Sequence, residues 1–180
     1  MTAPEARTYR GLPLNELLDE VSSAEPMPGA GYCAAITLEL AAGLIVMAAR
    51  VSRAEWGEAR GAAAQATTLR ARIAPLAERN VDAYREAVGL LARAAAVPLE
   101  IAEVAVDVAS LAAVVAERGE QALRADAVSA ALLAEAAART AATLVEVNLG
   151  TTSADERVTH ARDLAGSATA AAQRARATLS

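Results

Sequence analysis

Apolar positions follow two rhythms along this chain. Over residues 12–22, Leu14, Leu17, Leu18 and Val21 recur at helical spacing on one side, which predicts a short amphipathic helix. From Ala30 to Ala49 the rhythm vanishes because almost every position is apolar. A helix that is apolar all round is either buried on every side or crosses a membrane. Glu39 stands in the middle of this stretch, and an acid at mid-bilayer costs about 3 kcal/mol. The charged, amphipathic segments that follow also favour a buried helix, without a membrane. Burial on all sides in so short a chain implies that a partner chain covers one face.

Between these two segments lies a Pro-Met-Pro-Gly-Ala-Gly turn at Pro26 to Gly31. The second helix is expected from Tyr32 to Ser52. A third begins near Arg53 and reaches toward Ala96, kinked at Pro75, because proline removes a helix hydrogen bond. Leu69, Ile73, Leu76, Ala83, Ala87 and Leu91 keep one phase across that proline. The fourth helix has Pro98 in its first turn and Gly119 just beyond its end, with Ile101, Val104, Val108, Leu111 and Val115 as its stripe. The fifth covers Arg124 to Asn148 and stops at Gly150. The sixth opens on a capping box with Ser153 as N-cap and Glu156 three residues later. The pattern predicts an all-α, up-and-down bundle of five to six helices, the third long and kinked, in one domain over residues 1–180, and dimeric.

Composition agrees. Hydrophobic residues make up 54% of the 180 residues, aromatics only 2%, and there is no Phe. Alanine carries much of the apolar share, which favours helices over strands. The net charge is −5 and all 17 basic residues are Arg. No basic patch interleaved with aromatics appears, so a nucleic-acid partner is not expected. One cysteine, Cys33, and one histidine, His160, give no spacing for a zinc site. Cys33 is expected to be buried. The N-terminal residues lack an apolar signal core, so the cytoplasm is the expected compartment.

Some polar residues fall out of place. Asp126 shares the stripe of Leu133, Ala137, Thr140, Leu144 and Val147, with Asn148 at its edge. It is either the N-cap of its helix or a functional group. Asp82 falls opposite the apolar stripe of the third helix and reads as a solvated acid. Glu39 either pairs with an Arg or faces a cleft. Arg50 and Arg53 suit the C-terminal dipole of the second helix. The Gly29-Ala30-Gly31 turn is either plain tight-turn geometry or backbone left bare for a ligand.

The order of these pieces resembles the cyclodeaminase/cyclohydrolase family, which comprises the C-terminal domain of formiminotransferase-cyclodeaminase and the bacterial methenyltetrahydrofolate cyclohydrolases. That family opens with a short helix, a Pro-Gly-Gly-Gly-Ser turn and an Ala-rich buried helix, as does "ELLDEVSSAEPMPGAGYCAAITLELAAGLIVMAARVS". The "DAY" at Asp82 to Tyr84, Pro98, and the segment "RGEQALRADAVSAALLAEAAARTAATLVEVNL" with Gly119, Asp126 and Asn148 continue the match. The resemblance implies a homodimer acting on a tetrahydrofolate derivative as substrate, with no permanently bound cofactor and no metal. It implies hydrolysis of a 5,10-methenyl bridge, or closure of a 5-formimino group with loss of ammonia. It puts Asp82 and Asp126 at the family's acidic, catalytic positions, with Asp82 in a cleft or subunit interface. Gly29, Ala30, Gly31, Tyr32, Glu39, Arg50 and Asn148 become the expected substrate-binding set. The chain departs from the pattern at Ala30, Tyr32, Glu120 and Ala125. These departures keep a second reading open: a family member with an altered site, acting as a non-catalytic ligand-binding or structural dimer. Tyr32 turned inward, filling the place of the ring, is what that second reading expects.

Overall fold

A computed structural model of the chain describes residues 8–54, 56–87, 94–150 and 154–180. Among them are seven α-helices: α1 (Leu14–Val21), α2 (Ala30–Val51), α3 (Ala59–Ile73), α4 (Leu76–Glu86), α5 (Ala96–Arg118), α6 (Arg124–Leu149) and α7 (Glu156–Ala177). No strand occurs among the described residues, and the expected all-α bundle is what the chain forms.

The expected third helix is realised as α3 and α4. Pro75 has no N–H to give, so α3 ends at Ile73 and α4 restarts at Leu76. Ala74 and Pro75 keep right-handed helical dihedrals, so the axis kinks without leaving the bundle. Leu69, Ile73, Leu76 and Ala87 are all buried, as one phase requires; Leu91 lies outside the described residues. The start at Arg53 needs correction. Ser52–Ala54 form a 3-10 turn, and α3 begins only at Ala59, after a turn that buries Trp56. At the last helix, Ser153 lies outside the described residues. The cap is Asp155, whose carboxylate accepts from the Arg157 N–H.

Helix α6 is the hub, packed against α2, α5 and α7. Alanines at Ala130, Ala131, Ala134, Ala138 and Ala141 are fully buried along it, and such small side chains let helices approach closely. The end of α2 is stitched to the start of α6 through Ser52. Its hydroxyl donates to the Ala48 carbonyl at 2.8 Å and accepts from the Glu120 N–H at 2.7 Å. A side chain on Gly119 would strike that hydroxyl and the Val115 carbonyl, so the glycine is there for close approach.

Helices α2 and α6 run antiparallel. Gly29 to Gly31 share a cavity with Leu144, Val147 and Asn148. Leu40, Gly43 and Leu44 share a groove with Leu133, and Ser52 meets Glu120. These three points put Asp126 level with about residue 50 of α2. The inner side of α2 is sealed, with Leu38, Ala41, Ala42 and Ile45 wholly buried, while Leu40 is 63% and Val51 57% exposed.

Candidate functional site

The turn at the head of α2 opens onto a cavity of about 290 Å³. Gly29 is the N-cap, Ala30 the first helical residue, and Ala30 has no positive φ. No side chain caps this end of α2, so its first N–H groups have no intrahelical acceptor. Asn80 and Tyr84 from α4, Pro98 from α5, and Leu144, Val147 and Asn148 from α6 complete most of the wall.

Asn80 is the residue that sequence reasoning missed. Its side chain is 8% exposed and lines the cavity. Among the described residues it makes no hydrogen bond, although a buried amide ordinarily finds a partner. A Cβ on Gly31 would overlap the Asn80 carboxamide. Gly31 is therefore bare because Asn80 lies against it, and the two together shape the floor. The signal was available: Asn80 continues the stripe of Ile73 and Leu76, a polar residue on a buried phase.

Tyr32 turns inward, yet it does not line the cavity. Its ring packs edge-on against Tyr9, with centroids 5.8 Å apart and planes at 74°. Tyr9 and Arg10 are strapped across this end by Glu78, whose carboxylate accepts from both backbone N–H groups at 2.8 and 2.7 Å. The Tyr9 hydroxyl donates to the Met27 carbonyl. The Tyr32 hydroxyl is buried without a hydrogen-bond partner. Burial, helped by the negative Glu78, pushes its phenol up to about 12.

The acids lie elsewhere. Asp82 is two residues from Asn80, which on a helix is nearly the opposite side. Its carboxylate is exposed and 3.5 Å from Arg85. Asp126 is in the first turn of α6 but is not its N-cap; that position is Leu123, with no side-chain cap bond. Asp126 is half-buried and has no hydrogen bond or ion pair among the described residues. It sits 22 residues before Asn148 on one helix, or about 33 Å away at 1.5 Å per residue. Glu39 does both things expected of it: it pairs with Arg10 at 2.9 Å and Arg70 at 3.6 Å, and it borders a groove of about 590 Å³ with Leu40, Gly43 and Leu133. Arg50 is exposed at the far end of α2. Cys33, expected to be buried, is half-buried, and burial raises its thiol pKa. So one chain gathers Gly29, Ala30, Gly31, Asn80 and Asn148, and brings neither Asp82 nor Asp126 to them.

Ala30–Ala54 and Gln121–Leu149 are each long and apolar enough to cross a membrane, and about half of each is buried inside the chain. The second of these was not visible as an unbroken apolar run.

The comparisons with known proteins fit this architecture. None of the curated proteins matches the chain. Among solved structures, formiminotetrahydrofolate cyclodeaminase from Thermotoga maritima superposes with a TM-score of 0.86 at 23% identity, covering 94% of this chain and 96% of that one. At that identity the likeness shows the fold. The family described as formiminotransferase-cyclodeaminase matches over residues 13–92 and 88–166, which include the glycine turn, Asn80, Asp126 and Asn148, and the chain belongs to that family.

Proposed function

We propose that the chain is an enzyme of folate one-carbon chemistry, a formiminotetrahydrofolate cyclodeaminase or methenyltetrahydrofolate cyclohydrolase, with the pterin ring in the Gly31–Asn80–Asn148 cavity. Family membership across nearly the whole chain carries this reading. The cavity lies near the lower end of the usual range for ligand pockets, which begins at about 300 Å³. It suits one bicyclic ring, with the rest of a folate outside. A carboxamide offers an acceptor and a donor side by side, matching the lactam edge of a pterin. Asn80, buried and unpaired, is the group to read that edge.

Both reactions pass through a tetrahedral carbon between two nitrogens. In ring closure, N10 attacks the formimino carbon, the N10–C bond forms, the C–NH2 bond breaks, and the proton from N10 leaves with ammonia. In hydrolysis, water adds to the methenyl carbon, one C–N bond breaks, and a water proton goes to the freed nitrogen. A carboxylate held near the carbon relays the proton in either case, and Asp126 is the acid assigned to that role.

One observation favours a second reading, a ligand-binding protein without turnover: no acid among the described residues lines the cavity within one chain. A single assay separates them. The methenyl chromophore should appear with release of ammonia when 5-formiminotetrahydrofolate is supplied, or fade when methenyltetrahydrofolate is supplied. Tight binding with neither change would establish the ligand-binding reading.

A further inference from the structure

A buried hydrogen bond, 3.2 Å from the Tyr9 hydroxyl to the Met27 carbonyl, closes residues 9–27 into a loop. At both ends this loop is sunk into the body, because Tyr9 and Met27 belong to the core. Between the ends it is not. Helix α1 buries no residue, Leu14, Leu18 and Val21 are exposed, and Leu12 and Leu17 rest half-buried on the core. Segments with so little buried surface open at lower free energy than the core does.

The two ends have different tasks. Tyr9 and Arg10 are the fastening. Their N–H groups share the Glu78 carboxylate on α4, and the Arg10 guanidinium donates to the Ala74 carbonyl at the kink and to Glu39 on α2. Met27 is the working end. It lines the cavity, and a Cβ on Gly29 would meet its Cε at 3.4 Å and its Sδ at 3.8 Å, so the thioether rests on the glycine turn. The fastening has one flaw. With the Tyr9 ring packed on Tyr32, the Tyr32 hydroxyl is wholly buried and has no hydrogen-bond partner. A buried orphan of that kind needs a reason, and water would supply the missing bond as soon as Tyr9 lifted.

We propose that residues 9–27 are a clasp that opens and closes as one unit beside the cavity. Closed, Tyr9 holds Met27 by its carbonyl, and Met27 forms the cavity wall over Gly29. Open, the Tyr32 hydroxyl is hydrated and the cavity loses its wall on that side. The orphan hydroxyl brings the two states closer in free energy, so the clasp yields without unfolding of the bundle. A ligand that touches Met27 finds its full wall only in the closed state, and so shifts the clasp toward closure. That last coupling rests on the folate reading above; the clasp itself does not.

Methionine oxidation reads the clasp directly. Met27 is buried at its working end, and Met47, exposed on the second half of α2, is an internal reference. With dilute hydrogen peroxide and peptide mass spectrometry, Met27 of the native chain should oxidise more slowly than Met47. Tyr9→Phe keeps the ring and loses the bond to Met27; it should quicken Met27 about fivefold, the worth of one hydrogen bond. Tyr32→Phe removes the orphan and should slow Met27 by a similar factor. Met47 should keep one rate throughout. Glu78→Gln weakens the fastening without touching either tyrosine and should act as Tyr9→Phe does. Hydrogen exchange in Tyr9→Phe should quicken over residues 9–27 and stay unchanged in α6. Equal oxidation of Met27 and Met47 in the native chain would overturn the clasp. So would an unchanged Met27 rate in both Tyr9→Phe and Glu78→Gln, or a faster one in Tyr32→Phe. Exchange that quickens in α6 as well would mark Tyr9 as general support and overturn it too. Saturating 5-formyltetrahydrofolate should slow Met27 oxidation. Binding by calorimetry that leaves Met27 unprotected would overturn the coupling. Failure to bind would condemn the folate reading, while the variants still decide the clasp.

Discussion

The two ends of α6 live in opposite surroundings. At its C-terminal end Asn148 faces a cavity walled by its own chain, beside a buried, unpaired amide at Asn80. At its N-terminal end Asp126 is half-buried and has no ion pair among the described residues. Among the described residues, the cavity at one end is lined without an acid, and the acid at the other end lies about 33 Å from it. A rigid helix of 26 residues cannot fold back to unite them. If the cavity reads the ring and Asp126 moves the proton, as proposed above, the two roles fall on opposite ends of one helix, about 33 Å apart.

The hardest blow to this arrangement should come from the exposed face. Leu40→Arg puts a charge where one chain is open to solvent, so the isolated fold should melt as before. Light scattering should report a monomer, and turnover should disappear. A monomer with full turnover would break the comparison at its root.

Next come the two ends separately. Asp126→Asn should lower kcat by about 10²- to 10⁴-fold, the usual worth of a positioned proton-transfer group, with KM nearly unchanged. Its Tm should move little, because Asp126 caps nothing. Asn80→Ala should instead weaken ligand binding by about 10- to 100-fold, the loss of one or two hydrogen bonds of about 1.5 kcal/mol each. Steady-state kinetics on both variants sharpens the contrast. Equal effects on kcat and KM at both ends would erase it.

The smallest effect concerns Tyr32. Its hydroxyl is buried without a partner, so Tyr32→Phe should raise stability by up to about 1 kcal/mol. The native phenol titrates near 12 when folded and near 10 when unfolded. The unfolded chain therefore loses its proton first, and stability falls as pH rises from about 10 to about 12. Chemical denaturation at pH 8 and pH 11 should show a steeper alkaline loss in the native chain than in Tyr32→Phe.

Much of this was legible beforehand. The helices declared themselves through stripes and breakers, and Pro75 announced the kink between α3 and α4. The end of α2 was less readable. "VSRAEWGEAR" is as good a helix start as a helix break, and only burial of Trp56 and the Ser52 bridge to Glu120 decide between them. At the tip of α6 the sequence leaves Asp126 either as the N-cap, because aspartate suits that place, or as a functional group, and the cap is not what forms. The chain instead enters α6 through a 3-10 turn at Gln121–Leu123, capped by Glu120. At the site, the glycine turn stood out but its cause did not. Gly31 is bare for a side chain 49 positions away in sequence, a long-range contact that no local pattern encodes. Asn148, which the family resemblance singles out, does line the cavity; Asn80 was passed over for the more conspicuous Asp82. The outer face of α2 could be inferred only as excess apolarity, and its register with α6 needed the fold.

The most direct test of a site shared between subunits is to mix two impaired variants and read turnover at substrate well below KM, where Asn80→Ala and Asp126→Asn are both slow. Asn80→Ala lacks the reading amide and Asp126→Asn lacks the acid. After subunit exchange, half the dimers should be mixed, and in each of these one of the two sites recovers both native groups. Methenyltetrahydrofolate turnover should then return to about a quarter of the native level, as two-fold symmetry requires. Mixed dimers that form and remain as inactive as either parent would contradict the account.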